Sequence, residues 1–539
     1  MSGVLAGVGV LVAAGASGAA ILLPPGRPRS VAMLVAIGLF PVLILGDQWH
    51  STQIADLRHH SERLVALAVA GLVATGILAA VFRRRPVALP LAIVAALPFR
   101  IPLHAGGDTA NLLVPLYLVI AGGVVAAALR DWAGRPAGPV GGVGGLPWAA
   151  RCSGRRDDAP EDSGPRPPQP PPGGRPPTPP PPARGAAKWL PRVLAAVVVL
   201  YALQTLYSPD FSKGLQNVCF FFVPFSLVYA LLRDVAWDRK LLAGILVVIT
   251  VEAVAFVLVG SVEYLSRSLS WNDQVIRSNE FHTYFRVNSV FWDPNIYGRY
   301  LALVIVVAMA ALLWAKERRS IALLTTLVAA LWIGLVPTFS QSSFAALLAG
   351  LAVLAALRWS LRWTLATVGV GAIVAILFVG LVGGSSKVNF SRLNIDTSGR
   401  ANLVSGGIHL FAQRPVYGYG SGAFPTAYRE HVATHKAPVS VSHTEPITVA
   451  AEQGVVGLAL YAALIVVALW AMTTGLRSLM PAPTPPARLL VGRAAVLAAF
   501  IALLVHTMAY AGFFEDPIAW VLLAVGASLA TAAQVRPAT

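Results

Sequence analysis

Of 539 residues, 56% are hydrophobic and only 12% are charged, against roughly 25% in ordinary soluble domains, and the mean hydropathy is +0.69. These values exclude a soluble globular protein. The 41 Lys and Arg outnumber the 24 Asp and Glu, a net charge of +17. In a soluble chain that excess would point to nucleic acid, but here most basic residues fall in short loops between apolar segments, as the positive-inside rule requires, so no nucleic-acid partner is expected.

With about 20 apolar residues needed per helical span, the length admits on the order of 12 to 15 membrane helices. Long unbroken apolar runs are the wrong pattern for barrel strands, so the expected class is all-α. Spans are predicted near 4–24, 30–46, 64–82, 87–99, 111–129, 189–207, 214–232, 241–261, 297–315, 321–337, 342–357, 364–383, 447–473, 489–512 and 514–533. Basic groups such as Arg83/Arg84/Arg85, Arg233/Arg239/Lys240 and Lys316/Arg318/Arg319 lie on alternate loops. That side reads as cytoplasmic and carries the C-terminus. The first segment lacks a basic start, which argues against a cleaved signal peptide.

Between about residues 134 and 187 the sequence carries GGVGG and RPPQPPPGGRPPTPPPPARG. Such a stretch cannot bury a core and reads as a disordered, partly polyproline II spacer. Cys152 lies in it and Cys219 in an apolar segment, an arrangement unsuited to a disulfide framework or a thiolate metal site. The histidines of the outer loops show no helical i, i+4 pair, so neither a metal nor a cofactor is expected.

Two loops on the opposite side, about 262–296 and 384–446, are longer than topology needs, which marks them as functional. Both collect cations, among them Arg286 in the first and Arg400, Arg414 and Arg429 in the second. Cations on a translocated face suggest an anionic ligand. The first loop ends RVNSVFWDPNIYGRY, where Asp293 and Pro294 read as N-cap and first residue of a membrane helix. Its positive dipole end faces outward, with Arg286 just before it and Arg299, expected to snorkel, one turn inside.

In NIDTSGRANLVSGGIHLFAQRPVYGYGSGAF, the residues Leu403, Val404, Ile408 and Phe411 have helical spacing. A short amphipathic helix is predicted from about Arg400 to Pro415, capped by Asp396, Thr397 or Ser398 and followed by a flexible GYGSG turn. A cation in its first turn opposes the helix dipole, which makes a purely structural Arg400 less natural. In SHTEPITVAAEQGVVG, Ser442 and Glu445 have capping-box spacing, which puts His443 at a helix start where its pKa should fall. At 100° per residue, His443 and Gly454 share one stripe, and Glu452 lies on the face of Glu445, within the membrane.

These features together resemble the O-antigen ligase and polymerase superfamily. The resemblance rests on an arginine before an aromatic-x-Pro-Asn helix start, an arginine heading an amphipathic helix before a Pro-Val-Tyr-Gly-Tyr-Gly run, and His-x10-Gly with a Glu two before the Gly. It covers roughly residues 87–533 and implies about 12 core helices, with a large, partly helical extracytoplasmic loop before the last three. About 2–3 extra N-terminal helices (1–86) and the linker (131–187) depart from it. The remaining divisions are the start of the core array (87–130), core helices (188–383), the catalytic loop (384–446) and the last three helices with a short cytoplasmic tail (447–539).

The resemblance implies that a glycan on a polyprenyl-pyrophosphate carrier moves, without a metal, to an acceptor hydroxyl of a glycan or lipid. The site would face the extracytoplasmic side of the cytoplasmic membrane. Arg286 and Arg400 would neutralise the pyrophosphate and His443 would handle the hydroxyl proton. Arg299, Asn295, Glu445, Glu452, Asp516 and Tyr419 are expected on the substrate side. A polymerase would share this chemistry with a different acceptor. A lipid-linked glycan transporter should show internal repeats, and no obvious repeat is present.

Overall fold

The computed structural model describes residues 3–49, 61–105, 108–134, 185–269, 271–281, 284–360, 362, 364, 400–432, 441–476 and 488–535. The predicted span 364–383, most of the proline-rich linker, Cys152 and the proposed cap at Asp396, Thr397 or Ser398 lie outside these residues. The elements run α1 (Gly3–Leu22), α2 (Arg27–Asp47), α3 (Ser61–Arg84), α4 (Ala88–Ala96), β1 (Ile101–Ala105), β2 (Asp108–Leu112), α5 (Val114–Trp132), α6 (Ala186–Thr205), α7 (Phe211–Asn217), α8 (Val223–Leu232) and α9 (Arg239–Ser266). They continue α10 (Asp273–Phe281), α11 (Pro294–Leu313), α12 (Arg318–Leu335), α13 (Gln341–Arg358), α14 (Arg400–Gln413), α15 (Phe424–His431), α16 (Glu445–Thr473), α17 (Arg488–Thr507) and α18 (Pro517–Val535). Among the described residues, 11 helices are long and apolar enough to cross a membrane. The protein is a polytopic, almost wholly helical membrane protein.

One departure from the expected class is local. The segment read as a span at 87–99 forms only the nine-residue α4: Pro98 has no N–H to return to the Val94 carbonyl, which accepts from Leu97 N–H instead (3.2 Å). The chain then forms an antiparallel ribbon in which Ile101 pairs with Leu112 and Ala105 with Asp108.

The N-terminal helices are part of the packed body. Gly7 and Gly18 of α1 lie against Leu206 and Val199, and buried Arg29 pairs with Asp234 across the chain. Further along, Pro224 has no N–H to return to the Phe220 carbonyl, and the Tyr117 hydroxyl donates to that carbonyl instead (2.9 Å). Small residues let α11, α13 and α17 close together. Gly298 faces Ser343 and Thr338, and Gly350 faces Val306 and the Ala498 carbonyl.

The feature that positions the large loop is a break in α16. Gly454 has φ 64° and ψ −163°, so the helix is interrupted there. Four of the groups at the break find partners elsewhere in the chain. Val455 N–H donates to the Pro415 carbonyl (2.7 Å), while the carbonyls of Ala451 and Glu452 accept from Tyr419 N–H (3.1 Å) and Gly420 N–H (2.8 Å). The Gln453 carbonyl accepts from the Gln204 amide (3.2 Å). The Glu452 carboxylate adds bonds from Gly422 N–H (2.8 Å) and Phe424 N–H (3.1 Å). The turn expected to be flexible is therefore clamped, with Ser421 fully buried.

The two backbones touch at Gly418 and Gly454. A Cβ on Gly418 would stand 2.3 Å from the Glu452 oxygen, and one on Gly454 would stand 2.3 Å from the Val416 oxygen. This overturns the common stripe drawn from His443 to Gly454, which assumed an unbroken helix. Gly454→Ala should cost at least about 2 kcal/mol through strain and clash, read as a lower thermal midpoint of the purified protein. Exposed Gly38, whose Cβ position is open, provides the control: Gly38→Ala should leave the midpoint unchanged or slightly raised. An unchanged midpoint for Gly454→Ala would mean that the clamp contributes nothing.

Candidate functional site

The polar residues at the large-loop end gather around the starts of α11, α16 and α18. Asp293 caps α11 as expected, accepting from Asn295 N–H (2.6 Å). Its charge also acts on Arg286, His443 and Tyr510. Asp293 is thus the shared anion of the cluster as well as a cap.

Arg286 is held from several sides. The Asn279 side chain accepts from its N–H (3.0 Å) and donates to its carbonyl (2.9 Å). The Arg286 Nε donates to the Thr338 carbonyl (2.9 Å) and an Nη to Asn295 Oδ1 (3.2 Å). Asn295, expected beside the substrate, therefore orients the guanidinium. Arg400 stands in the first turn of α14 as predicted, and its charge acts on both Arg286 and His443. The buried face of α14 differs from the predicted one. It runs through Gly406, Gly407 and Leu410, while Ile408 is exposed.

His443 precedes α16, with φ 63°, a left-handed conformation that costs a non-glycine residue about 1–3 kcal/mol. Its neighbours fix it. Ser442 Oγ donates to the Thr444 carbonyl (2.8 Å) and accepts from Thr444 N–H (3.2 Å), and it shares a bond with Thr448 Oγ1 (2.8 Å). The predicted capping box is absent: Glu445 accepts from Gly512 N–H (2.7 Å) and Phe513 N–H (3.0 Å) in the turn between α17 and α18. Thr444 Oγ1 donates to the Met508 carbonyl in the same turn (3.0 Å). Burial, and then the Arg400 charge, hold the His443 imidazole below its ordinary value of 6.5, with Asp293 opposing.

Several expected substrate contacts prove to be internal. Arg299 does not snorkel; it is buried and pairs with Asp516 at 2.9 Å. Asp516 also caps α18 through Ile518 N–H (2.9 Å). Both carboxylate oxygens of Glu452 are occupied by backbone N–H groups of the clamped turn. Tyr419 is buried among Leu410, Phe424 and Tyr428, with Arg414 over its ring at 4.4 Å.

Three residues missed by the sequence reading join the cluster. The Tyr510 ring lies 6.3 Å from that of His443 and 5.7 Å from that of His506. His506 is buried in α17 and shares a bond with Ser342 Oγ (3.1 Å). Arg100 acts electrostatically on Arg299, Asp516 and Tyr510. The available signals were an ionisable residue inside an apolar span for His506 and a charge just beyond a proline break for Arg100.

Beside the cluster runs an apolar groove of about 670 Å³, lined by residues that include Leu97, Leu246, Tyr300, Val304, Trp314 and Leu522. Arg239 and Lys316 stand at its far end. Tyr300, at the near end, donates to Glu252 (2.8 Å).

No curated protein matches the chain. Residues 326–462 match a family model described as O-antigen ligase. That segment holds Arg400, His443, Glu452 and Gly454, on which part of the sequence resemblance rested, whereas Arg286 and the helix start at Asp293–Asn295 lie outside it. Residues 326–462 are therefore similar to an O-antigen ligase domain, and they lie within a multi-pass membrane protein.

Proposed function

We propose that the protein is a glycan ligase. It moves a glycan from a polyprenyl-pyrophosphate carrier to an acceptor hydroxyl at the extracytoplasmic face of the cytoplasmic membrane. The observation that carries this reading is that Arg286 and His443, from two separate segments, both stand within reach of the charges of Arg400 and Asp293.

In the reaction, the bond from the anomeric carbon to the phosphate oxygen breaks and a bond from the acceptor oxygen to that carbon forms. The acceptor proton passes to His443, and the pyrophosphate leaves as an anion. Arg286 and Arg400 stabilise the growing negative charge, a role that oriented cations fill far better in a poorly hydrated site than in water. That stabilisation is assigned to guanidiniums rather than to a metal ion. A neutral imidazole suits the proton transfer. The apolar groove beside the cluster receives the carrier's hydrocarbon chain. A polymerase of the same family would differ in its acceptor. Deletion of the gene separates the two: long lipid-linked polymer accumulates without a ligase, and single lipid-linked repeat units accumulate without a polymerase.

Arg286→Lys and Arg400→Lys keep the charge but lose the planar fork, so transfer should fall strongly with the thermal midpoint near wild type. His443→Ala should lose about two to four orders of magnitude in rate while still binding donor. Unfolded protein in both lysine variants, or near wild-type transfer by His443→Ala, would remove the residue concerned from the mechanism.

The pH profile has a definite sign. Activity that needs neutral His443 rises with pH through a midpoint below 6.5. Carbethoxylation of His443, followed by mass spectrometry, reads the same midpoint without activity. It should move up in Arg400→Gln, which removes a cation, and down in Asp293→Asn, which removes an anion. A midpoint above 6.5 in the wild type, or no movement in either variant, would contradict the assigned surroundings.

Ser405 is exposed on α14 and reports the side of the membrane. In a cysteine-free background, Ser405→Cys should react with an impermeant thiol reagent in intact cells. Labelling only after lysis would place the site on the cytoplasmic face and end the proposed reaction.

A further inference from the structure

Arg100 lies between α4 and β1, outside both the matched segment 326–462 and the motifs that carry the resemblance. It is partly buried, yet among the described residues its guanidinium makes no hydrogen bond and no close ion pair. With Arg299, Tyr300 and Asp516 it lines a small cavity of about 20 Å³. The anion nearest to it, Asp516, is already paired with Arg299 at 2.9 Å. Arg100 therefore stands beside a neutralised pair with its own charge unmatched.

The charge inventory extends this. Among the described residues, Asp516 is the carboxylate that acts on Arg100 and Asp293 the one that acts on Arg286, and Asp516 is also the close partner of Arg299. A partly buried guanidinium without a partner is costly, and an arriving phosphate relieves that cost by accepting several charge-assisted bonds. Position distinguishes Arg100 from Arg286. Tyr510 interacts with both, whereas Arg286 is coupled to Arg400 and Arg100 to Arg299 and Asp516. Tyr510 is therefore common to the surroundings of Arg286 and Arg100. The Arg100 side adjoins the apolar groove, since Leu97, Tyr300 and Ile518 line both the small cavity and the groove.

We propose that Arg100 is a further donor-binding residue that takes the phosphate nearest the lipid, while Arg286 and Arg400 take the phosphate that carries the sugar. The assignment rests on the pyrophosphate-donor reading. It adds an order along the site: hydrocarbon chain in the groove, first phosphate at Arg100, second phosphate at Arg286 and Arg400, and acceptor at His443.

The test is binding of two probes, farnesyl pyrophosphate and farnesyl monophosphate, to the full chain in nanodiscs. The variants are Arg100→Gln, Arg100→Lys and Arg286→Gln. Arg100→Gln should weaken both probes by about tenfold or more, the usual consequence of losing charged hydrogen bonds. Arg100→Lys should recover part of that loss, and it keeps the experiment informative if the glutamine variant folds poorly. Arg286→Gln should weaken the diphosphate much more than the monophosphate, whose single phosphate sits at Arg100. If folded Arg100→Gln binds both probes within about twofold of wild type while Arg286→Gln loses the diphosphate, the Arg100 assignment is overturned and the donor reading stands. A wild-type chain that binds neither probe overturns both.

Discussion

A helix inside a membrane cannot leave backbone N–H and C=O groups unpaired, because hydrocarbon offers them nothing and each orphan costs several kcal/mol. The interruption of α16 at Gly454 is tolerated only because the loop after α14 supplies the missing partners. Pro415, Tyr419 and Gly420 take the places of the lost helical turn, and the Gln204 side chain covers the carbonyl left over. The need is mutual, since the loop also needs the carboxylate of Glu452 for its own N–H groups. A large loop is thereby fixed to a membrane helix at the level of main-chain atoms. The position of Arg400 relative to His443 follows from that attachment.

The same economy governs the charges. Two aspartates begin two apolar helices, Asp293 at α11 and Asp516 at α18, and each uses one carboxylate oxygen on a cap bond. The positive ends of α11 and α18, together with that of α16, meet at one end of the molecule, a natural place for an anion. Each aspartate also serves a second group, Tyr510 for Asp293 and Arg299 for Asp516. Carboxylates so occupied are divided between a cap and a second group, and the arginines of the cluster share them.

How much of this the sequence revealed depended on distance along the chain. The Asp293 cap, the start of α14 at Arg400 and the helix that follows His443 were legible because each is decided within one turn. The phase of α14 was misread because its buried face is built on Gly406 and Gly407, whose close contacts carry no hydrophobic signal. Glu445 looked like half of a capping box, yet it reaches a turn 67 residues on. Arg299 looked free to snorkel because Asp516 is remote in sequence. The stripe through His443 and Gly454 failed for a different reason: the glycine that suggested close packing is the point at which the helix breaks. His506 and Arg100 carried a readable signal, a polar residue where the bilayer or a chain break makes one unusual.

The matched segment holds Arg400 and His443, whereas Arg286, Asp293 and the turn with Tyr510 and Asp516 lie outside it. The imidazole shows why the outer parts cannot be treated as accessories. His443 has a backbone conformation that it would not choose by itself, and such strain persists only where surrounding contacts over-determine it. Those contacts come from both sides: Ser442 and Thr448 within the segment, and Met508, Gly512 and Phe513 beyond it through Thr444 and Glu445. The turn that steadies α16 also carries Tyr510, on which the charge of Asp293 acts, and Asp293 begins the helix whose side chain Asn295 holds Arg286. Histidine and arginine are therefore joined through a continuous set of contacts that leaves and re-enters the matched segment, and the geometry of the site is a property of that whole circuit.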